Sequence, residues 1–206
     1  MVLAVGGITA AIAAAGAVTA KVILPTIVPK NFGVVEPGRL YRAGELTPAA
    51  TDRVIREHHI RTIVDLGAYD KDPAGERVAE RTASALGVER RVFRLEGDGT
   101  GNPNAYVEAL RIITDPARQP VLVHCSAGSE RTGACILLYR TIVQGRTRDE
   151  VFHESLEHKH DPSRNTRLRP YLDEWTGAIE RAFRSSPDVL IDGQPKAEIV
   201  SPARGK

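Results

Sequence analysis

The sequence predicts an α/β fold: a central short mixed or parallel sheet flanked by helices, with a separate apolar helix at the amino terminus. Three observations predict it. Short β-branched runs, RTIVDL at 61–66 and VLV at 121–123, alternate with longer helical patterns. The chain has 206 residues, 42% apolar and 26% charged, which suits one domain with a sizeable core plus terminal extras. Residues 2–20 carry no charge and consist mainly of Ala, Val, Ile and Gly, a run of about 28 Å as a helix, close to a bilayer core.

The elements follow in order. Residues 31–43 hold two apolar pieces around Glu36-Pro37-Gly38, a turn signal for a hairpin. Thr47 is placed to cap a helix with Pro48 at its first position, running to about His59. Residues 61–66 form a buried strand. Asp72-Pro73 opens a helix that ends at Gly87, and residues 88–95 alternate as a strand. Residues 96–103 (EGDGTGNP) are a loop, and 103–114 a helix. Residues 121–123 are a short buried strand leading into His124. The apolar stretch ACILLYRTIV at 134–143 belongs to a central helix ended by Gly145. Thr147 and Glu150 form a capping box. A last helix spans about 166–184, with Leu168, Leu172, Trp175 and Ile179 on one face.

Three segments result: an apolar segment at 1–24, the main domain at 31–184, and a Pro/Gly/Ser-rich tail at 185–206 expected to stay mobile. Lys21 and Lys30 after the apolar run favour a membrane anchor with a cytoplasmic domain; a cleaved signal or a soluble start are the alternatives. A net charge of +2 gives no reason to expect a nucleic-acid partner. The two cysteines, Cys125 and Cys135, build no disulfide framework and no CxxC zinc motif. His153, His158 and His160 lie close in sequence, but no cysteine or carboxylate pattern supports a metal, and they read as a solvated helix end. No cofactor is implied.

The chemistry concentrates in HCSAGSERTG at 124–133. A loop entering a helix directs several backbone N–H groups at one spot, where the helix dipole adds positive potential. Ser126, Ala127 and Gly128 are small enough for the backbone to curl around an anion, with Ser129 and Glu130 completing the cradle. Arg131 supplies a planar fork matching two phosphate oxygens. The same field favours a thiolate at Cys125. Nucleophile and tetrahedral oxyanion therefore share one cradle, and in-line attack of sulfur on phosphorus follows. Cys135, on the apolar face of the next helix, reads as a packed thiol.

HCSAGSERTG resembles the HCx5R[ST] signature loop of the cysteine-based protein tyrosine phosphatase superfamily. It is close to the form HCSAGxGRTG, with Glu130 where a glycine precedes the arginine. The small size is similar to the dual-specificity group, and NFGVVEPGRLYRAGELTP at 31–48 resembles the opening of atypical bacterial and plant-fungal members. The resemblance covers about residues 31–175 and implies a tyrosine-phosphatase-like domain. It implies Cys125 as nucleophile, Arg131 as phosphate clamp, and residues 126–130 as backbone donors. Thr132 would assist the leaving thiolate, and His124 would fix loop geometry. The family's upstream acid falls on Asp98 in EGDGTGNP, where Asp-Gly is also an ordinary turn pair, and Glu96 is the alternative. Asp65 at a strand end reads as structural.

A loop without lysine and with an acid disfavours a polyanion, so a phosphotyrosine-like monoester or phosphoprotein is the expected substrate. Inositol phosphates or phosphoinositides are the alternative, with Lys159, Arg164, Arg167 and Arg169 as the compensating charge. A phosphate-binding pseudophosphatase, or an arsenate reductase or sulfurtransferase with a related thiolate loop, are the readings from other classes.

Overall fold

The computed structural model describes residues 29–197 and the backbone of 199–200. The apolar run at 1–24 lies outside the described residues.

Strands β1 (Gly33–Glu36) and β2 (Leu40–Ala43) pair antiparallel as a hairpin. Helix α1 (Pro48–His58) starts where Thr47 Oγ1 accepts the Ala50 N–H at 3.2 Å. Strand β3 (Thr62–Asp65) follows, then α2 (Pro73–Ala85), whose Asp72 cap accepts from Ala74 and Gly75. Strand β4 (Glu89–Phe93) leads to α3 (Pro103–Thr114), capped by Asn102. Strand β5 (Val121–His124) delivers the signature loop, and α4 (Glu130–Leu138) leaves it. Helix α5 (Arg148–Glu157) carries the full Thr147/Glu150 capping box, and α6 (Leu168–Arg184) packs on α3. A short β6 (Ile199–Val200) pairs antiparallel with β4.

The sheet order is β1-β2-β5-β3-β4-β6. Strands β2, β5, β3 and β4 run parallel, so the sheet is mixed, as expected. Strand β5 is central and buried on both faces, which is why its sequence is a continuous apolar run rather than an alternation. Val121 and Val123 join the core under α3, α4, α5 and α6, with Phe93, Tyr106 and Ile136. Leu122 points the other way, to Val54 and Ile63 under α1 and α2. Trp175 sits partly buried against the larger core.

Besides the added strand β6, two details differ from the sequence reading. The helix after Arg131 does not run uniformly to Gly145: α4 continues as a π-helical turn over Tyr139–Val143. The wider turn lets the Tyr139 hydroxyl donate to Glu36 on β1 at 2.5 Å and Arg140 pair with Glu154 on α5 at 3.1 Å. Residues 185–197, in the segment expected to be a mobile tail, carry defined ties to α3. The Ile191 N–H donates to Asn104 Oδ1 at 2.8 Å, and Arg111 donates to the Pro187 and Val189 carbonyls.

Candidate active site

The carboxyl ends of β2, β3 and β5 and the amino ends of α1, α2 and α4 share one edge of the sheet, where an α/β fold presents a ligand site. The loop between β5 and α4 lies there. No side chain caps α4, unlike α1, α2, α3 and α5, so its first N–H groups remain for a ligand.

The loop's carbonyls are taken up from behind. The Glu45 N–H donates to the Ser126 carbonyl at 3.0 Å. Asn31 Nδ2 donates to the Gly128 carbonyl at 2.9 Å and reaches the Ala127 carbonyl at 3.4 Å. The buried Arg42 adds a second donor to Gly128, at 2.8 Å. A trans peptide sets its N–H opposite its C=O. The amides of residues 127, 128 and 129 therefore face the other side, and the Gly128 N–H meets Cys125 Sγ at 3.2 Å. This turn needs Gly128 itself: its φ is +74°, and a Cβ there would lie 2.6 Å from the Gly44 nitrogen. Asn31, Arg42 and Glu45 were missed by the sequence reading. Their only signal was the family-like stretch at 31–48, which carries no mark of which side chain reaches the loop. Burial pushes the Arg42 guanidinium down to about 10, against the opposing pull of Glu154 and Cys125, which leaves it charged at neutral pH.

Cys125 is buried beneath this cradle, and both cysteines are free thiols. Burial pushes the Cys135 thiol up to about 12, consistent with inert packing. Arg131 is buried beside the loop. One terminal nitrogen donates to the Leu66 carbonyl at 3.0 Å, to the Gly67 carbonyl, and to Asp70 Oδ2 at 2.9 Å. Its Nε is buried without a partner among the described residues, so one edge of the fork is anchored and another is unused. Asp70, also missed from sequence, bridges Arg131 and Arg94; burial raises its pKa against the pull of both arginines.

His124 is held by Asp65. The fully buried Asp65 carboxylate lies 3.3 Å from His124 Nε2, accepts the Ala68 N–H at 2.7 Å and pairs with Arg90 at 2.5 Å. Burial alone would raise the Asp65 pKa, but His124 and Arg90 outweigh it and hold the carboxyl far below its usual range. The Thr132 hydroxyl is fully buried, 3.5 Å from the Ala43 carbonyl.

Asp98 lies on a loop resting on the start of α4: a Cβ at Gly99 would be 3.1 Å from the Glu130 carbonyl. Its carboxylate accepts the Thr100 N–H at 3.0 Å and the Thr100 hydroxyl at 2.7 Å, and pairs with Arg167 at 3.0 Å. Partial burial works to raise its pKa, but Thr100 and Arg167 prevail and hold it below the ordinary carboxylate value. Glu96 is exposed. The Glu130 carboxylate is taken up by His160 Nδ1 at 2.9 Å and by Asn165, rather than by Arg131. His153 and His158 line a separate charged hollow with Glu154 and Glu157. Among the described residues no group of three His, Cys, Asp or Glu is placed to hold a metal ion.

A family model described as "DSP-PTPase phosphatase fused to NAD+ Kinase" matches residues 30–169. The chain belongs to the dual-specificity branch of the cysteine-based tyrosine phosphatases. It is 29% identical over 125 residues to a tyrosine-protein phosphatase-like protein of Saccharomyces cerevisiae, covering 58% of this chain and 60% of that one. An inositol diphosphatase of Oryza sativa subsp. japonica is 31% identical over 122 residues, covering 57% and 55%. The chain thus spans little more than half the length of these curated relatives. Among solved structures, the catalytic core of the PP-IP phosphatase SIW14 from S. cerevisiae superposes with a TM-score of 0.60 at 22% identity, covering 76% of this chain and 92% of that one. TpbA of P. aeruginosa gives 0.61 at 20% identity, with the same coverages. At these identities the superpositions establish the fold alone. The expected tyrosine-phosphatase-like α/β domain is the observed one, and it is a domain of the cysteine-based phosphatase family.

Proposed function

We propose that this protein hydrolyses phosphate monoesters of the phosphotyrosine or aryl type through a phosphocysteine at Cys125. The observation that carries the mechanism is the inward turn of the loop amides, with the Gly128 N–H on Cys125 Sγ; Arg131, six residues on, keeps an Nε without a partner among the described residues. Sulfur attacks phosphorus, the S–P bond forms and the P–O bond to the leaving group breaks. Loop amides and Arg131 hold the equatorial oxygens. Asp98 gives its proton to the departing oxygen, then takes one from the water that attacks phosphocysteine, while Thr132 donates to the departing thiolate. His124, fixed by Asp65, sets where the loop begins.

The surroundings favour an apolar leaving group. A cavity of about 720 Å³ opens between α1 and α2, walled by Leu46, Pro48, Tyr69 and Val78. Glu45, on its wall, is the residue whose N–H holds Ser126. Of the basic residues that would attract a polyanion, Arg164 pairs with Asp161, Arg167 with Asp98 and Arg169 with Asp149, while Lys159 makes no ion pair among the described residues. The names of the rice relatives support a second reading, an inositol diphosphate substrate. Phosphate release from phosphotyrosine peptide, phosphoserine peptide and inositol diphosphate at equal concentration decides between them. A kcat/KM highest on phosphotyrosine supports the first reading, and one highest on the inositol diphosphate overturns it.

Asp98→Asn is expected to lower kcat on phenyl phosphate by about 100-fold or more, and on nitrophenyl phosphate far less, because only the poor leaving group needs the proton. Equal small effects on both would remove Asp98 from the mechanism. The Arg167 pair has its own signature. Asp98 must be protonated to act as an acid, and its depressed pKa sets a low alkaline limb. Arg167→Gln removes the stabilising charge, raises the Asp98 pKa, and moves the alkaline limb of kcat/KM to higher pH. An unmoved limb would show that the pair does not tune the acid.

A further inference from the structure

Glu130 stands where the family-like loop has glycine, and its carboxylate has a purpose-built surrounding. His160, almost fully buried and edge-on to Phe152 at 5.3 Å, places Nδ1 2.9 Å from Glu130 Oε2. Asn165 Nδ2 donates to the same Oε2 and, at 2.7 Å, to the backbone carbonyl of Asp98. The other end of Asn165 is committed too, its Oδ1 accepting the Leu168 N–H at 3.3 Å at the start of α6. One amide group therefore joins the residue before Arg131 to the residue proposed as the acid. A glycine at 130 would remove the Glu130 partner of His160 Nδ1 and one of the two acceptors of Asn165 Nδ2, so the three side chains form a set. Tyr106 and Tyr171 hold the same acid loop further along, through the Gly99 carbonyl at 2.6 Å and the Gly101 carbonyl at 3.1 Å. Asn165 alone among the described side chains bonds both Asp98 and the first residue of α4.

We propose that Asn165 is a positioning residue for the acid step: with Glu130 and His160 it straps the Asp98 loop to the start of α4, fixing the acid over the phosphate loop. This rests on the reading of Asp98 as the acid. Its function is orientation, since an acid displaced by about 1 Å loses on the order of 100-fold in proton-transfer rate. Asn165→Asp is the sharper variant. It keeps size and shape but replaces the donor by an oxygen facing two acceptors.

The test compares Asn165→Asp and Asn165→Ala with wild type on phenyl phosphate and nitrophenyl phosphate, alone and combined with Asp98→Asn, with melting curves alongside. The expected result is a roughly 10-fold or greater fall in kcat on phenyl phosphate and under about 3-fold on nitrophenyl phosphate, part of the range for an acid group. The double variants should fall no further than Asp98→Asn alone, because the strap has nothing left to position. Equal losses on both substrates, losses that multiply with Asp98→Asn, or wild-type behaviour of Asn165→Asp would each overturn the strap while leaving the acid in place. Absence of any leaving-group dependence in Asp98→Asn would instead overturn the acid reading, and the strap with it.

Discussion

Arg131→Lys is expected to lower kcat/KM by about 1,000-fold on every phosphate ester, while leaving the protein folded. The variant keeps the positive charge, so a purely electrostatic clamp would survive it. The geometry says the clamp is more than a charge. One terminal nitrogen of Arg131 is spent on the Leu66 and Gly67 carbonyls and on Asp70. That anchor holds the guanidinium plane so that Nε, buried and without a partner among the described residues, has a fixed direction. A lysine can reach the Asp70 side or the phosphate, but it has no rigid second donor for the other. The loss should be the same on phenyl and nitrophenyl phosphate, because the clamp acts on the phosphoryl group and not on the leaving group. Retention of more than about a tenth of wild-type activity would contradict a bidentate role for Arg131.

Gly128→Ala is expected to remove activity and to destabilise the fold together. An alanine at φ +74° costs about 1–3 kcal/mol from backbone strain alone. The added methyl would also sit 2.6 Å from the Gly44 nitrogen and 2.7 Å from the Ala43 carbonyl carbon, atoms of the β2 end that cannot move without disturbing the sheet. A melting temperature lower by roughly 5–10 °C is the expected reading for a domain of this size. If the loop instead relaxed, the Gly128 N–H would leave Cys125 Sγ and the carbonyl would leave Arg42 and Asn31. Wild-type melting and wild-type turnover in this variant would show that the loop does not need its present shape.

The parts of the site that were legible in sequence are the local ones. HCSAGSERTG brings its nucleophile, glycine and arginine together within one turn, and β5 and α4 fall on either side of it as their apolar patterns demand. Helix starts were legible for the same reason: Thr47, Asp72 and Thr147 cap within three residues of themselves. What was hidden is long in sequence. Arg42 reaches its carbonyl across 86 positions, Asn31 across 97, and Asp70 meets Arg131 across 61. A polar residue in a short hairpin or a loop gives no local sign of its distant partner. Arg42 in particular looks like an alternating strand residue, yet it is among the largest fully buried side chains of the protein. The π-helical turn and β6 were missed because each depends on a neighbouring element, β1 and α5 for the first and β4 for the second. Glu130 is visible in sequence as a departure from the family-like loop, but its partners, His160 and Asn165, lie 30 and 35 positions further on.

The most direct test of the account is phosphate release by the full chain in EDTA, wild type against Cys125→Ser, with acid quenching during turnover and mass measurement of the Cys125 peptide. The account predicts steady release by wild type, a peptide heavier by one phosphoryl group, and a fall of roughly 10,000-fold or more in Cys125→Ser. A Cys125→Ser variant that still turns over, or a folded wild type that releases phosphate from no ester, would contradict it.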